Sequence, residues 1–238
     1  MIRKALLIGA PGKDLPGVTK DIANFKDFLL SDAGGAWESK EIDTLMDPSR
    51  ISVNSKLSAL SDSDYSFVYF AGHGRHEVER NATQLQLQPN IHIEVSEFVR
   101  AGASKHSVVV DACRVLYREL VRDGLLALMT KADSQFSIKN SRQLFDSRLR
   151  NCDPGVVELY SCNLAETAGE DSDQGGFYTS ALIGAGKDWS AGSPNGQVLS
   201  IKEAHELAGT KVKRRSNNRQ NPVAVYPRSL LHFPFAVR

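Results

Sequence analysis

The chain has 238 residues, 41% of them hydrophobic and 24% charged, enough apolar material for one sizeable core and too much for a disordered protein. A formal net charge of +1 gives no dominant electrostatic footprint, which argues against nucleic acid or an anionic membrane as a partner. No apolar run approaches the roughly 20 residues that cross a bilayer, and the cysteines (Cys113, Cys152 and Cys162) make no CxxC pair or even disulfide framework, so a reducing, cytoplasmic setting is expected.

The basic-then-apolar opening reads as a first strand, Ala5–Ile8, closed by Gly9, Pro11 and Gly12, rather than as a signal peptide. After the Pro16-Gly17 turn comes a helical pattern with Ile22, Phe25, Leu29 and Leu30 on one side. Thr19 is its expected cap, Asp21 lies in its first turn, and Gly34-Gly35 stops it. Ile42–Met46 is expected as a short strand and Val53–Leu60 as a second amphipathic helix. Phe67–Ala71 (FVYFA) is a buried-strand pattern followed at once by Gly72-His73-Gly74. Arg75–Thr83 is polar and expected to be mobile. Leu85–Val95 alternates on either side of Pro89-Asn90 as a hairpin or a pair of edge strands, and Ser96 is placed to cap a short helix through Phe98 and Val99.

Ser107–Arg114 (SVVVDACR) is the stretch around which the rest is arranged. Val108–Val110 reads as a strand buried on both faces. A carboxylate does not go far inside a sheet, so Asp111 marks the strand's exit. Cys113 then stands at the C-terminal rim, where open α/β sheets keep their ligands. If the FVYFA strand is its parallel neighbour, His73 reaches the same edge. Val115–Met129 is helical in pattern. Ser134–Asp153 is polar, carries Lys139, Arg142, Arg148 and Arg150, and reads as a linker or long surface loop. Val156–Tyr160 is another strand, ending in Ser161, Cys162 and Asn163. An acidic, glycine-rich loop (Glu166–Gly176), a helix (Phe177–Ile183), a loop bearing Trp189 (Ala185–Gly196) and a last helix (Ile201–Val212) follow. The basic cluster of Lys211, Lys213, Arg214, Arg215 and Arg219 reads as a solvated face. Val223–Tyr226 and a loosely hydrophobic LLHFPFAV close the chain. Repeated strand–helix alternation predicts an α/β sandwich with a mostly parallel central sheet and helices on both faces.

A cysteine nucleophile needs a base beside it and an oxyanion site in front of it. His73 can supply the first; the backbone N–H groups of Gly74 and Cys113 can supply the second. The competing reading is an inert buried thiol and a structural histidine. No residue stands out as orienting the imidazole, so the sequence supports a dyad rather than a triad. Asp111 beside the thiol calls for a cation, either a substrate Arg or Lys or the chain's own Arg114. Cys162, also at a strand end, is the rival nucleophile, with no histidine following a strand near it. Gly9–Gly12 has neither dinucleotide-fingerprint nor P-loop spacing, and His76, His92, His106, His205 and His232 are scattered, so no metal or cofactor is expected.

FVYFAGHG followed by SVVVDACR resembles the caspase-like cysteine peptidases: caspases, paracaspases, metacaspases and their bacterial relatives, the orthocaspases. The QAC[RQG]G signature of true caspases is not met, because Asp111 stands where they have glutamine and Val115 where they have glycine. DACR is closer to the paracaspase and orthocaspase form. The resemblance implies a caspase-like three-layer sandwich in a single domain, large-subunit-like over about 1–133, linker-like over 134–153 and small-subunit-like over 154–238. It implies His73 as base, Cys113 as nucleophile and the Gly74 and Cys113 amides as oxyanion hole. It assigns Asp111 to an S1 pocket for basic P1 residues, with Asp21 as second acid, Asp14 as a weaker alternative and Glu166 as a third. Self-cleavage after Lys139, Arg142, Arg148 or Arg150 would suit that specificity; an uncut surface loop is the other reading. Calcium could be drawn to the acidic Glu166–Asp173 loop, although no EF-hand pattern is present. The expected activity is an endopeptidase acting on proteins or peptides after Arg or Lys through an acyl-enzyme, controlled by a protein partner as in bacterial defence or cell-death systems. The alternative is a catalytically silent binding or scaffold protein on the same fold.

Overall fold

The computed structural model describes residues 1–116, 138–171 and 173–238. Its strands are β1 (Arg3–Ala10), β2 (Ile42–Met46), β3 (Tyr65–Gly72), β4 (Gly74–Glu77), β5 (Ala82–Gln88), β6 (Ile91–Glu94), β7 (Lys105–Asp111), β8 (Gly155–Tyr160), β9 (Glu170–Asp171), β10 (Gly175–Gly176), β11 (Val198–Ser200), β12 (Val223–Val225) and β13 (Pro234–Val237). Its helices are α1 (Gly17–Leu30), α2 (Arg50–Ser58), α3 (Val95–Ala101), α4 (Ile138–Asn151), α5 (Phe177–Gly192) and α6 (Ile201–Arg215). The main sheet is six-stranded, in the order β12-β8-β7-β3-β1-β2. All its pairings are parallel except that of the edge strand β12 with β8.

Side chains alternate across a strand, so each central strand feeds two cores. Leu7, Phe67, Tyr69, Val109, Val157 and Leu159 pack with α1, α4, α5 and α6. Leu6, Ile8, Val68, Phe70, Val108 and Val110 pack with α2, α3 and the three-stranded antiparallel sheet β4-β5-β6. Apolar side chains on both faces of parallel strands demand cover on both sides, and the helices supply it. The fold is the α/β three-layer sandwich that the sequence predicts.

Several elements differ from expectation for identifiable reasons. Arg75–Thr83, read from the sequence as a polar stretch without structure, carries strand at both ends: Gly74–Glu77 forms β4, paired to Ala82–Leu85 of β5. The first helix starts at Gly17 behind Pro16, with no side-chain cap, so Thr19 is an ordinary helical residue. The second starts at Arg50 because Ser49 caps it, its Oγ accepting the Ser52 N–H at 3.2 Å. Glu94 and Glu97, rather than Ser96, form the capping box of α3. Val115 is extended, its carbonyl accepting the His76 N–H at 2.9 Å, and the remainder of the expected Val115–Met129 helix from residue 117 lies outside the described residues. Trp189 belongs to α5, which continues to Gly192.

The largest difference is α4. Within the expected linker Ser134–Asp153, residues 134–137 and the side chain of Lys139 lie outside the described residues, while Ile138–Asn151 is helical. Phe145 and Leu149 enter the core, and Arg142 makes a bidentate pair with Glu41 at 2.6 and 2.9 Å. Arg148 donates to the His232 carbonyl, and Arg150 is exposed in the last turn. A polar composition hid two apolar anchors spaced one helical turn apart.

Candidate active site

The parallel register of β3 and β7 ends with Ala71 opposite Asp111. His73 and Cys113 each follow two residues further on, so adjacent strands deliver both to one C-terminal edge. Their loops touch: a Cβ at Gly74 would stand only 2.7 Å from the Cys113 carbonyl oxygen. The His73 carbonyl is pinned by the Gln86 N–H at 3.0 Å, which ties the imidazole-bearing loop to β5. The chain's central pairing thus brings together residues far apart in sequence.

Cys113 is half-buried, and its Sγ accepts the Ala168 N–H at 3.3 Å. Burial raises its pKa, and the fields of Asp111 and Glu170 raise it further against the Ala168 hydrogen bond. The resting group is therefore a thiol that needs a base. The His73 Nε2 lies 3.0 Å from Asp14 Oδ1, with the two side chains 37% and 36% exposed.

Beside the thiol is a cluster of acidic side chains. Asp111, 6% exposed, accepts hydrogen bonds from the Thr179 N–H at 3.0 Å and the Thr179 hydroxyl at 2.6 Å. Asp21, 2% exposed, projects from α1, and both its oxygens lie 2.9 Å from the Gly176 N–H. Glu170 stands opposite Gly176 in the β9–β10 ladder. No ion pair among the described residues involves Asp21, Asp111 or Glu170. Burial raises all of their pKa values; proximity to Asp111 adds to the rise for Asp21 and Glu170, the latter reaching about 7. Two glycines lie against these acids. A Cβ at Gly175, which has φ +81°, would collide with Asp21, and one at Gly176 with Asp111.

The sequence-derived residues divide accordingly. His73, Gly74 and Cys113 share the sheet edge; Asp21 and Asp111 lie together in the acidic cluster. Asp14 sits on the imidazole, and its charge also reaches Glu170, raising that acid's pKa. Glu166 is taken up elsewhere, accepting from the Asn221 N–H at 2.7 Å, the Asn221 Nδ2 at 2.8 Å and the Asn163 N–H at 3.1 Å. It staples two loops together. Glu170 is the acid that sequence reasoning missed; the nearby Gly175-Gly176 pair was the available signal, since only a bare backbone lets the acids approach. Arg114 does not neutralise Asp111: its guanidinium stacks 4.1 Å from the Tyr160 ring centroid and donates to the Thr83 hydroxyl.

Cys162 is fully buried, donates to the Ala112 carbonyl at 3.4 Å, and is pushed up to about 12 chiefly by burial, which describes a structural thiol. His106 is held by Ser66 and the Phe98 carbonyl, and His205 lies against Tyr178 with burial pulling it down to about 4. Among the described residues no group of three or more His, Cys, Asp or Glu side chains is placed to hold a metal ion, and no helix is long and apolar enough to cross a membrane.

A comparison with curated proteins finds no match. The family model described as the caspase domain (peptidase C14) matches residues 2–230. With a match over that span, on a three-layer sandwich whose central strands end in the His-Gly and Asp-x-Cys motifs, the chain belongs to the caspase-domain family.

Proposed function

We propose that the protein is a cysteine endopeptidase that cleaves after Arg or Lys. The observation that carries this reading is the cluster of Asp21, Asp111 and Glu170, buried or half-buried beside the thiol with no ion pair of their own among the described residues. Such a cluster is costly to ionise alone, and a guanidinium or ammonium entering it restores the balance. A basic P1 side chain seated there brings that residue's own carbonyl carbon to Cys113.

His73 then removes the Sγ proton as sulfur attacks, and the carbonyl electrons move to an oxyanion faced by the Gly74 and Cys113 amides. Collapse breaks the C–N bond, the His73 proton passes to the leaving amine, and an acyl-enzyme remains. His73 next takes a proton from water, which attacks the thioester. The second collapse returns that proton to sulfur and frees the new carboxyl end. The substrate would be an exposed Arg- or Lys-bearing segment of a protein.

The test is a panel of fluorogenic peptides ending in Arg, Lys or Asp, run beside Cys113→Ala. Turnover after Arg or Lys that vanishes in the variant is expected; turnover only after Asp, or undiminished in Cys113→Ala, refutes the assignment. A silent binding protein is the second reading, favoured by the raised pKa of Cys113. It predicts no burst of released fluorophore and no labelling of Cys113 by an arginine-derived electrophile.

A further inference from the structure

We propose that Asp14 is a positioning residue for His73, making the catalytic pair a triad in which a carboxylate fixes the imidazole. The proposal rests on the peptidase reading above and goes beyond its dyad. β1 and β3 are paired to their last residues, Ala10 opposite Gly72, so the loop leaving β1 emerges beside the one bearing His73. That loop is closed on itself. The Leu15 N–H donates to the Pro11 carbonyl at 3.0 Å and the Val18 N–H to the Leu15 carbonyl at 3.2 Å. Gly12 takes φ +55° and donates its N–H to Asp47 Oδ1 at 3.3 Å. Asp14 is thereby presented to Nε2 at 3.0 Å before any substrate arrives.

The chemistry follows from what each atom can do. An ionised carboxylate only accepts hydrogen bonds, so the neutral imidazole must carry its proton on Nε2. The lone pair is then on Nδ1, the nitrogen left to take the thiol proton. Once it does, the imidazolium forms next to a fixed negative charge, which stabilises the charged state. Among the described residues, the charged groups facing His73 are Asp14 and Glu170, and both Asp111 and Asp14 act on Glu170. Both members of the pair are more than a third exposed, so the effect is smaller than for a fully buried aspartate. Asp14 is accordingly assigned to catalysis and not to P1 selection.

Asp14→Asn and Asp14→Glu decide this. For an Arg-ended peptide, Asp14→Asn is expected to lower kcat about 10- to 100-fold, with KM and the preference for Arg over Asp unchanged and with partial recovery in Asp14→Glu. In imidazole NMR on the Cys113→Ala background, Asp14→Asn should shift the His73 tautomer balance away from the Nε2–H form that the Asp14 contact selects. An unchanged tautomer balance together with unchanged kcat overturns the proposal. So does a raised KM with lost basic preference, which would make Asp14 a pocket acid. A wild-type protein inert on every peptide whose His73 tautomer balance still shifts in Asp14→Asn would retire the peptidase reading alone.

Discussion

Burial, with Asp111 adding to it, pushes the Glu170 carboxyl up to about 7, so near neutrality this side chain is divided between neutral and charged forms. Because its folded pKa is raised, its contribution to stability is fully present below about 4.5, the ordinary value, and is lost as pH rises through about 7. Glu170→Gln removes that liability. The carboxyl is partly solvated, so after screening the gain is about 1 kcal/mol, expected as a Tm some 2–4 °C above wild type at pH 8 and no gain at pH 4. Function should move the opposite way. A cation binds the ionised pocket best, so 1/KM for an Arg-ended peptide should climb as pH passes through 7 in the wild type, and that component should be absent in Glu170→Gln. A variant no more stable at pH 8 and equally pH-dependent would show that Glu170 does not face the P1 cation. Asp111→Ala should cost more, because it removes the fully desolvated partner: kcat/KM for Arg substrates should fall about 100-fold or more, measured against an uncharged P1 peptide that loses little.

Helix α4 sets the mechanics of the element scale. Phe145 packs edge-on to Trp37 at 6.1 Å between ring centroids, and the Arg3 guanidinium lies 5.0 Å from the centre of its ring. Phe145→Ala should cost about 3–5 kcal/mol, read as a shift in the urea midpoint at constant m. Because Arg142 and Arg148 lie inside this packed helix, their peptide bonds cannot extend into an active site while it is folded. Self-incubation followed by mass spectrometry should therefore find no new terminus after either residue, and finding one would mean that α4 opens in solution.

The same element shows what could be read from the sequence. The central strands were legible because unbroken apolar runs such as Val108–Val110 have few other places to go, and the residues that end them, His73 and Cys113, follow directly. α4 was not, since its composition is polar and only Phe145 and Leu149 mark the buried face. β4 was missed because its hydrogen bonds come from β5 and from Val115, and neither pairing leaves a local pattern in Arg75–Glu77. Glu166 and Glu170 lie in one acidic loop, and nothing local distinguishes the acid that Asn221 captures from the acid that joins Asp111.

At the scale of the whole molecule, the acidic cluster is where separate parts of the chain converge. Asp21 comes from α1, Asp111 from the end of β7, Glu170 and the glycine floor from the β9–β10 ladder, and Thr179 from α5. These elements also line the core on that face, where Phe25 stacks on Tyr69 at 4.5 Å and the Tyr69 hydroxyl meets the Thr179 hydroxyl at 2.7 Å. Like charges gathered at such a junction push its walls apart, and a cation seated among them draws the same walls together. A peptide ending in an arginine aldehyde should therefore stabilise the entire fold, in proportion to its affinity. At 100 times Kd, linkage gives about 2.7 kcal/mol, which for a chain of this size corresponds to roughly 5–10 °C in Tm. The shift should be larger at pH 8 than at pH 5.5, since the raised carboxyls must be ionised to hold the cation, and it should shrink in Glu170→Gln. An aspartyl aldehyde should produce little of it, although its electrophile is identical. Equal shifts from the two aldehydes would mean that thiohemiacetal formation at Cys113 supplies all the stabilisation and that the carboxylates do not select the P1 side chain.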